Sequence, residues 1–384
     1  MTDQIVKIAQ QLILNGLRFQ YLKRVGRPGR PQAVSLELTH HCIAKCMMCN
    51  IWRIPRNLPH LAVEDWLRLL ASNLFGDLRE LDLTGGEPFL IHELPDLFEG
   101  ICDLTLANLT ALKSIAITTN GLLTRRVLAV AEKVLPKLEA AKLDLIVVCA
   151  MDGIGEIHNR IRNVKDAWQK VNKTIMGLNE LRENFPNLIV GLKTTILPLN
   201  INELERLVRY ADTHGLFTII SPFIITEGRY LNLDLSAEFE FSPQDISRLI
   251  QFYRSKLFRW SYHGDTLVDY LESGRIKKPC SCGFNYFFIR STGELFLCPL
   301  IKESVGNIGE TAVSELFLSA EASRIRREIG KLPQCRQCTE PGLERCALPY
   351  QGFHYLALLL KKGKSEFLQL HHHMGLDKYF DAIN

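Results

Sequence analysis

Ala33-Val-Ser-Leu-Glu-Leu38 reads as a short strand, and the loop after it runs Thr39-His-His-Cys42-Ile-Ala-Lys-Cys46-Met-Met-Cys49. Three thiolates so close on one loop can converge on one soft metal centre and leave a coordination position open. A closed zinc site would want a fourth protein ligand, which His40 or His41 could supply, so spacing alone leaves both readings standing. Further along the chain, short apolar or β-branched runs recur at Glu80 to Leu83, Ser114 to Thr119, Leu145 to Ala150, Leu188 to Ile196 and Phe217 to Ile225. Between them lie stretches of helical period at Val63 to Ser72, Leu94 to Leu106, Thr124 to Leu138, Ala167 to Leu181 and Asn202 to His214, with Thr124 and Asn202 as capping residues. The alternation predicts an α/β fold with a parallel sheet and crossover helices. Six βα units are too few for a closed eight-fold barrel, so a partial (β/α)6 barrel is expected, with ligands at the carboxyl ends of its strands.

The motifs do follow strands. After the second stands Thr84-Gly85-Gly86-Glu87-Pro88, where glycines let backbone approach a ligand closely and a carboxylate can accept from an ammonium group. The third ends in Thr118-Thr119-Asn120-Gly121. The fourth runs into Ala150-Met151-Asp152-Gly153, followed by Glu156-Ile157-His158-Asn159-Arg160-Ile161-Arg162. Lys193, on the fifth, points either at a cofactor or at a salt bridge. Glu227 and Arg229, past the sixth, either bind substrate at the barrel mouth or belong to an ordinary turn.

This series resembles the radical S-adenosylmethionine (SAM) superfamily. The resemblance implies a 4Fe-4S cluster on Cys42, Cys46 and Cys49, with SAM bound through its amino and carboxylate groups. It implies that Gly85, Gly86, Glu87 and Pro88 form the motif holding the SAM amino group, that Asn120 lies in the turn near SAM, and that Asp152 and Arg162 belong to the stretch whose arginine pairs with the SAM carboxylate. The family's serine contact is replaced here by Ala150.

A second cysteine group reads Cys280-Ser-Cys282, then Gly293-Glu-Leu-Phe-Leu-Cys298-Pro299, Cys335-Arg-Gln-Cys338 and Cys346. It resembles the SPASM and twitch domains of radical SAM enzymes, without the seven cysteines of a full SPASM domain. The twitch form implies one auxiliary 4Fe-4S cluster on Cys280, Cys298, Cys335 and Cys338, with Cys282 and Cys346 as spares or substitutes. A four-cysteine zinc ribbon stays open on spacing. Pro299 stands where sulfatase-type formylglycine maturases carry an aspartate base, which argues against that activity. Cys102 and Cys149, away from both groups, are read as buried core thiols.

The resemblance spans residues 33 to about 350 and suggests four parts: a basic amphipathic helix at 1–32, the barrel at 33–235, the auxiliary-cluster domain at 236–350, which opens with a helix near Gln244 to Phe258, and a helical tail at 351–384 whose three histidines, 371 to 373, read as solvated. It implies an enzyme that reductively cleaves SAM to a 5′-deoxyadenosyl radical and abstracts hydrogen, giving a net oxidation or another modification of a small molecule or a peptide. A flavodoxin- or ferredoxin-type protein would donate the electron. The contrasting reading is an iron–sulfur electron-transfer protein without turnover. No precursor-recognition domain is evident before residue 33, which weighs against peptide maturation.

Composition narrows the partners. The 46 basic and 42 acidic residues leave a formal charge of only +4, too weak a field to make nucleic acid the partner. The longest apolar runs, such as Tyr355 to Leu360, fall short of the ~20 residues of a membrane span, and the first thirty residues lack a secretory pattern, so a cytoplasmic protein is expected. Eleven cysteines in such a compartment point to metal rather than disulfides. The N-terminal stripe of Ile5, Ile8, Leu12 and Phe19, widened by Leu14, Leu17 and Leu22, is accompanied by Lys7, Arg18, Lys23, Arg24, Arg27 and Arg30. It either packs on the barrel or on the Tyr355 to Leu360 helix, or lies on an anionic membrane, which would suit a lipid-like substrate.

Overall fold

Apolar strands separated by amphipathic helices place one sheet at the centre of the molecule. The computed structural model describes residues 2–255, 263–341 and 346–373. Strands β1 (Ala33–Thr39), β2 (Glu80–Gly85), β3 (Ser114–Thr119), β4 (Asp144–Ala150), β5 (Leu188–Ile196) and β6 (Phe217–Pro222) pair in parallel in chain order. Every residue of β1 is buried, as expected of a parallel strand covered on both faces. Helices α2 (Val63–Leu70), α3 (Leu94–Thr105), α4 (Thr124–Ala140), α5 (Glu156–Arg162), α6 (Ala167–Asn184) and α7 (Leu204–Thr213) supply the crossovers.

The elements match the expected runs closely, whereas the caps do not. Thr124 is the first residue of α4, and its hydroxyl bonds to the Lys170 carbonyl instead of capping. Asn202 lies in a 3₁₀ turn before α7. Helix α8 (Pro243–Arg254) starts from a genuine Ser242 cap, and residues 256–258 of the expected helix lie outside the described residues. Cys149 is fully buried on β4, but Cys102 is only half-buried on α3.

Among the described residues the sheet holds the six expected strands and two more. Strand β7 (Tyr286–Ile289) pairs in parallel with the free edge of β1, and β8 (Leu295–Phe296) pairs antiparallel to β7. The region carrying the second cysteine group thus extends the barrel sheet. At only four and two residues, these strands carry too little periodicity to be read from sequence.

Helix α1 (Thr2–Val25) uses its Ile8, Leu12 and Phe19 face for internal packing. It lies against a C-terminal helix, Gly352–Lys362, so closely that a Cβ on Gly352 would stand 1.8 Å from the Leu12 carbonyl oxygen. Of the two alternatives for the stripe, its inner face takes packing on the C-terminal helix. Leu14 and Leu17 do remain exposed, with Val6, Ile13 and Tyr21 beside them. The last three histidines of the tail close a helix, Lys364–His373. Among the described residues no helix is long and apolar enough to cross a membrane.

Candidate active site and auxiliary-cluster site

The carboxyl ends of the strands enclose a cavity of about 1020 Å³, including its open mouth. Its wall holds Cys42, Cys46 and Cys49 from the loop after β1, Gly85 at the end of β2 and Gly86 just past it, Asn120 after β3, Ala150 from β4 and Arg162 from α5. Four separate βα turns thus converge on one space. Burial is the main cause raising all three thiol pKa values, Cys42 to about 11 and Cys49 to about 12. Arg162 works against this at Cys46, donating to its sulfur at 3.6 Å, and the Asn120 side-chain amide donates to the Cys42 sulfur at 3.7 Å. Donors aimed at sulfur favour the thiolate forms that iron requires.

Besides lining the cavity, the glycines let two backbone segments pack closely. A Cβ on Gly85 would lie 2.3 Å from the Thr39 carbonyl oxygen and one on Gly86 2.2 Å from that of His41, so β2 can press against the start of the cysteine loop only without side chains here. The Gly86 and Glu87 amides then donate to the Thr39 and His41 carbonyls.

Glu87 and Pro88 do not line the cavity. The Glu87 carboxylate is fully buried and turned inward, accepting from Thr119 Oγ1 at 2.8 Å, the Asn120 amide at 2.8 Å and the Phe89 amide at 3.2 Å. Its pKa is pushed up to about 7, chiefly by burial. With its oxygens occupied it braces the Asn120 turn, which corrects the reading that it meets an ammonium group directly. Asp152 is likewise behind the wall: its carboxylate meets the Arg162 guanidinium at 2.6 Å and accepts from the Thr195 amide at 2.9 Å. His158, held neutral by burial, accepts from the Asp152 amide at 3.0 Å. Burial opposes the charge on Arg162, but Asp152 and Cys46 more than offset it, so the guanidinium is held cationic at the cavity wall.

His40 and His41 turn away from the thiols. Their rings pack edge-on with His60, and their nitrogens meet Ser291 and the Arg56 carbonyl. Neither lines the cavity, so the zinc alternative has no histidine in place as its fourth ligand.

The cavity is also lined by Trp52, Lys193, Phe223, Arg229, Tyr230 and Glu340. Arg229 donates to Thr84 Oγ1 at 2.9 Å and packs over the Tyr230 and Phe288 rings. Lys193 lines the cavity as well, whereas Glu227 does not. Glu340, which no motif marked, arrives from the second cysteine region two residues after Cys338.

That region has its own cavity, of about 960 Å³, lined by Cys280, Cys282, Cys298, Cys335 and Cys338. All four expected ligands converge, and Cys282 joins them, its free thiol hydrogen-bonded to those of both Cys280 and Cys298. The bond from Cys282 chiefly holds Cys280 below the usual thiol range, while burial pushes Cys282 above it. Cys346 does not line this cavity; it is buried, and its carbonyl accepts from the Ser281 and Asn285 side chains. As placed, no three His, Cys, Asp or Glu side chains among the described residues stand close enough to share a single ion. Each thiol group instead lines a cavity, and its donors fit a cluster held by cysteine sulfur.

A partial barrel with three clustered cysteines at its carboxyl end, joined to a second cysteine-lined cavity, defines a radical SAM protein with an auxiliary-cluster domain. The chain carries both of these domains: residues 36–211 match the radical SAM superfamily model and residues 280–339 the SPASM iron–sulfur cluster-binding domain. These domains imply a SAM-binding 4Fe-4S cluster, auxiliary cluster chemistry and SAM itself as cofactors. The chain is similar to the sporulation killing factor maturation protein SkfB of Bacillus subtilis, 23% identical over 84% of this chain and 72% of that protein. It is also similar to the AdoMet-dependent heme synthase of Methanosarcina barkeri, 24% identical over 80% of this chain and 88% of that one. Among solved structures, Streptococcus suis SuiB bound to precursor peptide SuiA shares the fold with a TM-score of 0.56 at 15% identity, covering 80% of this chain and 69% of SuiB.

Proposed function

We propose that this chain reductively cleaves SAM and uses the resulting radical to abstract hydrogen from a peptide substrate. The observation carrying this reading is that one cavity brings together three buried thiols, the backbone of Gly85 and Gly86, Asn120 and a fixed Arg162, and is lined in addition by Trp52, Lys193, Arg229 and Glu340, which a second molecule would meet. Cys42, Cys46 and Cys49 would hold the 4Fe-4S cluster; Cys298, Cys335, Cys338 and either Cys280 or Cys282 would hold one auxiliary cluster. When bound, the first cluster and SAM supply the 5′-deoxyadenosyl radical. Arg162, charged and locked by Asp152, is placed to pair with the SAM carboxylate, and the Gly85–Gly86 backbone to meet its amino group. Apolar lining from Met48, Ile51 and Phe223 excludes water from the reacting atoms.

A peptide is favoured over a small metabolite by the maturation role in SkfB's name and by the precursor peptide bound to SuiB; the heme synthase supports the small-molecule reading. A flavodoxin- or ferredoxin-type protein would deliver the electron.

The test is anaerobic reconstitution followed by incubation with SAM and dithionite. Formation of 5′-deoxyadenosine is expected, and its loss when Cys42, Cys46 and Cys49 are all replaced by Ala. No cleavage by fully loaded protein would favour an electron-transfer protein. Deuterium transfer into 5′-deoxyadenosine from labelled candidate peptides then separates peptide from metabolite.

A membrane reading of the partner rests on one observation, the exposed Val6, Ile13, Leu14, Leu17 and Tyr21 on α1 beside exposed Lys7, Arg18 and Arg24. Salt-sensitive co-sedimentation with anionic vesicles would support it, and no binding at low or high salt would dismiss it.

A further inference from the structure

The auxiliary cavity has an asymmetric charge environment. Lys23, Lys277 and Lys278 line it, and among the described residues no carboxylate does. Lys23 comes from the last turn of α1, more than 250 residues from the thiols it faces. Its ammonium lies 5.5 Å from the centre of the Phe19 ring, which also lines the cavity and packs edge-on against Phe284 and Tyr350 at 5.0 and 5.4 Å. Lys278 sits two residues before Cys280, and its ammonium donates both to the Cys338 sulfur and to the Glu340 backbone carbonyl. Cys280 feels Lys278 and Lys23 together. Residues 338 to 340 therefore form a short strap, with a thiol facing the auxiliary cavity at one end and Glu340 in the wall of the SAM cavity at the other. Lys278 is the post to which that strap is tied.

We propose that Lys278, seconded by Lys23 from α1, is a positioning residue that raises the reduction potential of the auxiliary cluster and so makes it an electron acceptor. The inference rests on reading the second cavity as a cluster site. Reduction of a 4Fe-4S cluster from the 2+ to the 1+ state adds one electron and no proton, so the reduced form carries one more negative charge. A fixed cation bonded to a ligand sulfur stabilises that form more than the oxidised one, and low local dielectric enlarges the difference. Hydrogen bonds to sulfur and exclusion of solvent, here by the Phe19 face of α1, act on the same potential. The N-terminal helix is thereby part of the electron-transfer site.

The test uses the full-length, anaerobically reconstituted protein, with iron analysis and potentiometric titration followed by electron paramagnetic resonance. Lys278→Met is expected to move the auxiliary midpoint to more negative potential. Lys278→Arg, which keeps the charge, should stay near wild type. Lys23→Met should give a smaller negative shift, and the midpoint of the SAM-binding cluster should move little in any variant. An unchanged or more positive auxiliary midpoint in Lys278→Met at full iron content overturns the proposal. If Lys278→Met fails to retain the second cluster, Lys23→Met decides: a negative shift supports the assignment and an unchanged midpoint overturns it. Wild-type protein showing only one cluster, or zinc in the second cavity, would instead defeat the cluster reading itself, and iron and zinc analysis of the wild type distinguishes that failure.

Discussion

Replacing Asp152 with Asn removes a charge and little else. The side chain is fully buried, its partner Arg162 is 9% exposed, and their charged atoms meet at 2.6 Å. Asparagine can still accept from the Thr195 amide, so the hydrogen bond at 2.9 Å survives while the guanidinium loses its counter-ion. Leaving one member of a buried ion pair uncompensated costs about 3–5 kcal/mol. Here Arg162 also donates to the Cys46 sulfur and lies at the cavity edge, which places the expectation near the lower end, about 3 kcal/mol. Arg162→Met should cost less, because a carboxyl group whose pKa burial already raises can take up a proton. The double variant should then lose less than the sum of the two, with a coupling of about 2 kcal/mol. Anaerobic urea unfolding of the three variants at pH 7 measures the cycle, and SAM affinity of the reconstituted Asp152→Asn protein reports whether Arg162 has lost its orientation. A cost below about 1 kcal/mol for Asp152→Asn, or strictly additive single effects, would refute the claim that Asp152 holds Arg162 in place.

Glu87, with a folded pKa of about 7 against an ordinary 4.5, contributes stability that is complete below pH 4.5 and is lost as pH rises through 7, about 3 kcal/mol in all; Glu87→Gln should flatten that part of the stability–pH profile of the apoprotein, and an unaltered profile would count against the buried orientation. Gly86→Ala must displace the His41 carbonyl from 2.2 Å, so iron loading of the first cluster should fall while the second stays loaded, with about 1–3 kcal/mol of lost stability. Reconstituted wild type should hold about eight irons, four for each cluster. Cys298→Ala and Cys335→Ala should halve that content while Cys346→Ala leaves it unchanged, and iron loss in Cys346→Ala would show that the loop carrying it takes part after all.

Much of the fold was legible because its signals are local. Each of β1 to β6 is an apolar run that repeats its own period, and each motif follows its strand in the chain. The three cysteines of the first site also lie within a single loop, so their convergence needed no knowledge of packing. What sequence could not settle was direction and company. Glu87 stands in the motif as an acid near a ligand, but the donors that occupy it, Thr119 and Asn120, come from another strand and decide that it faces inward. Nothing in the chain order distinguishes Cys282 from Cys346 as a companion of Cys280; only the packing of their loops puts one in the cavity wall and not the other. The apolar stripe of α1 fits a membrane or a protein groove equally well by periodicity, and the Gly352 crossing assigns its inner face to the protein. Lys23 shows the limit most clearly. From sequence it is one of six cations on a basic helix, and it becomes part of the auxiliary site because the folded chain brings α1 across the thiols, an outcome of long-range packing that no local pattern encodes.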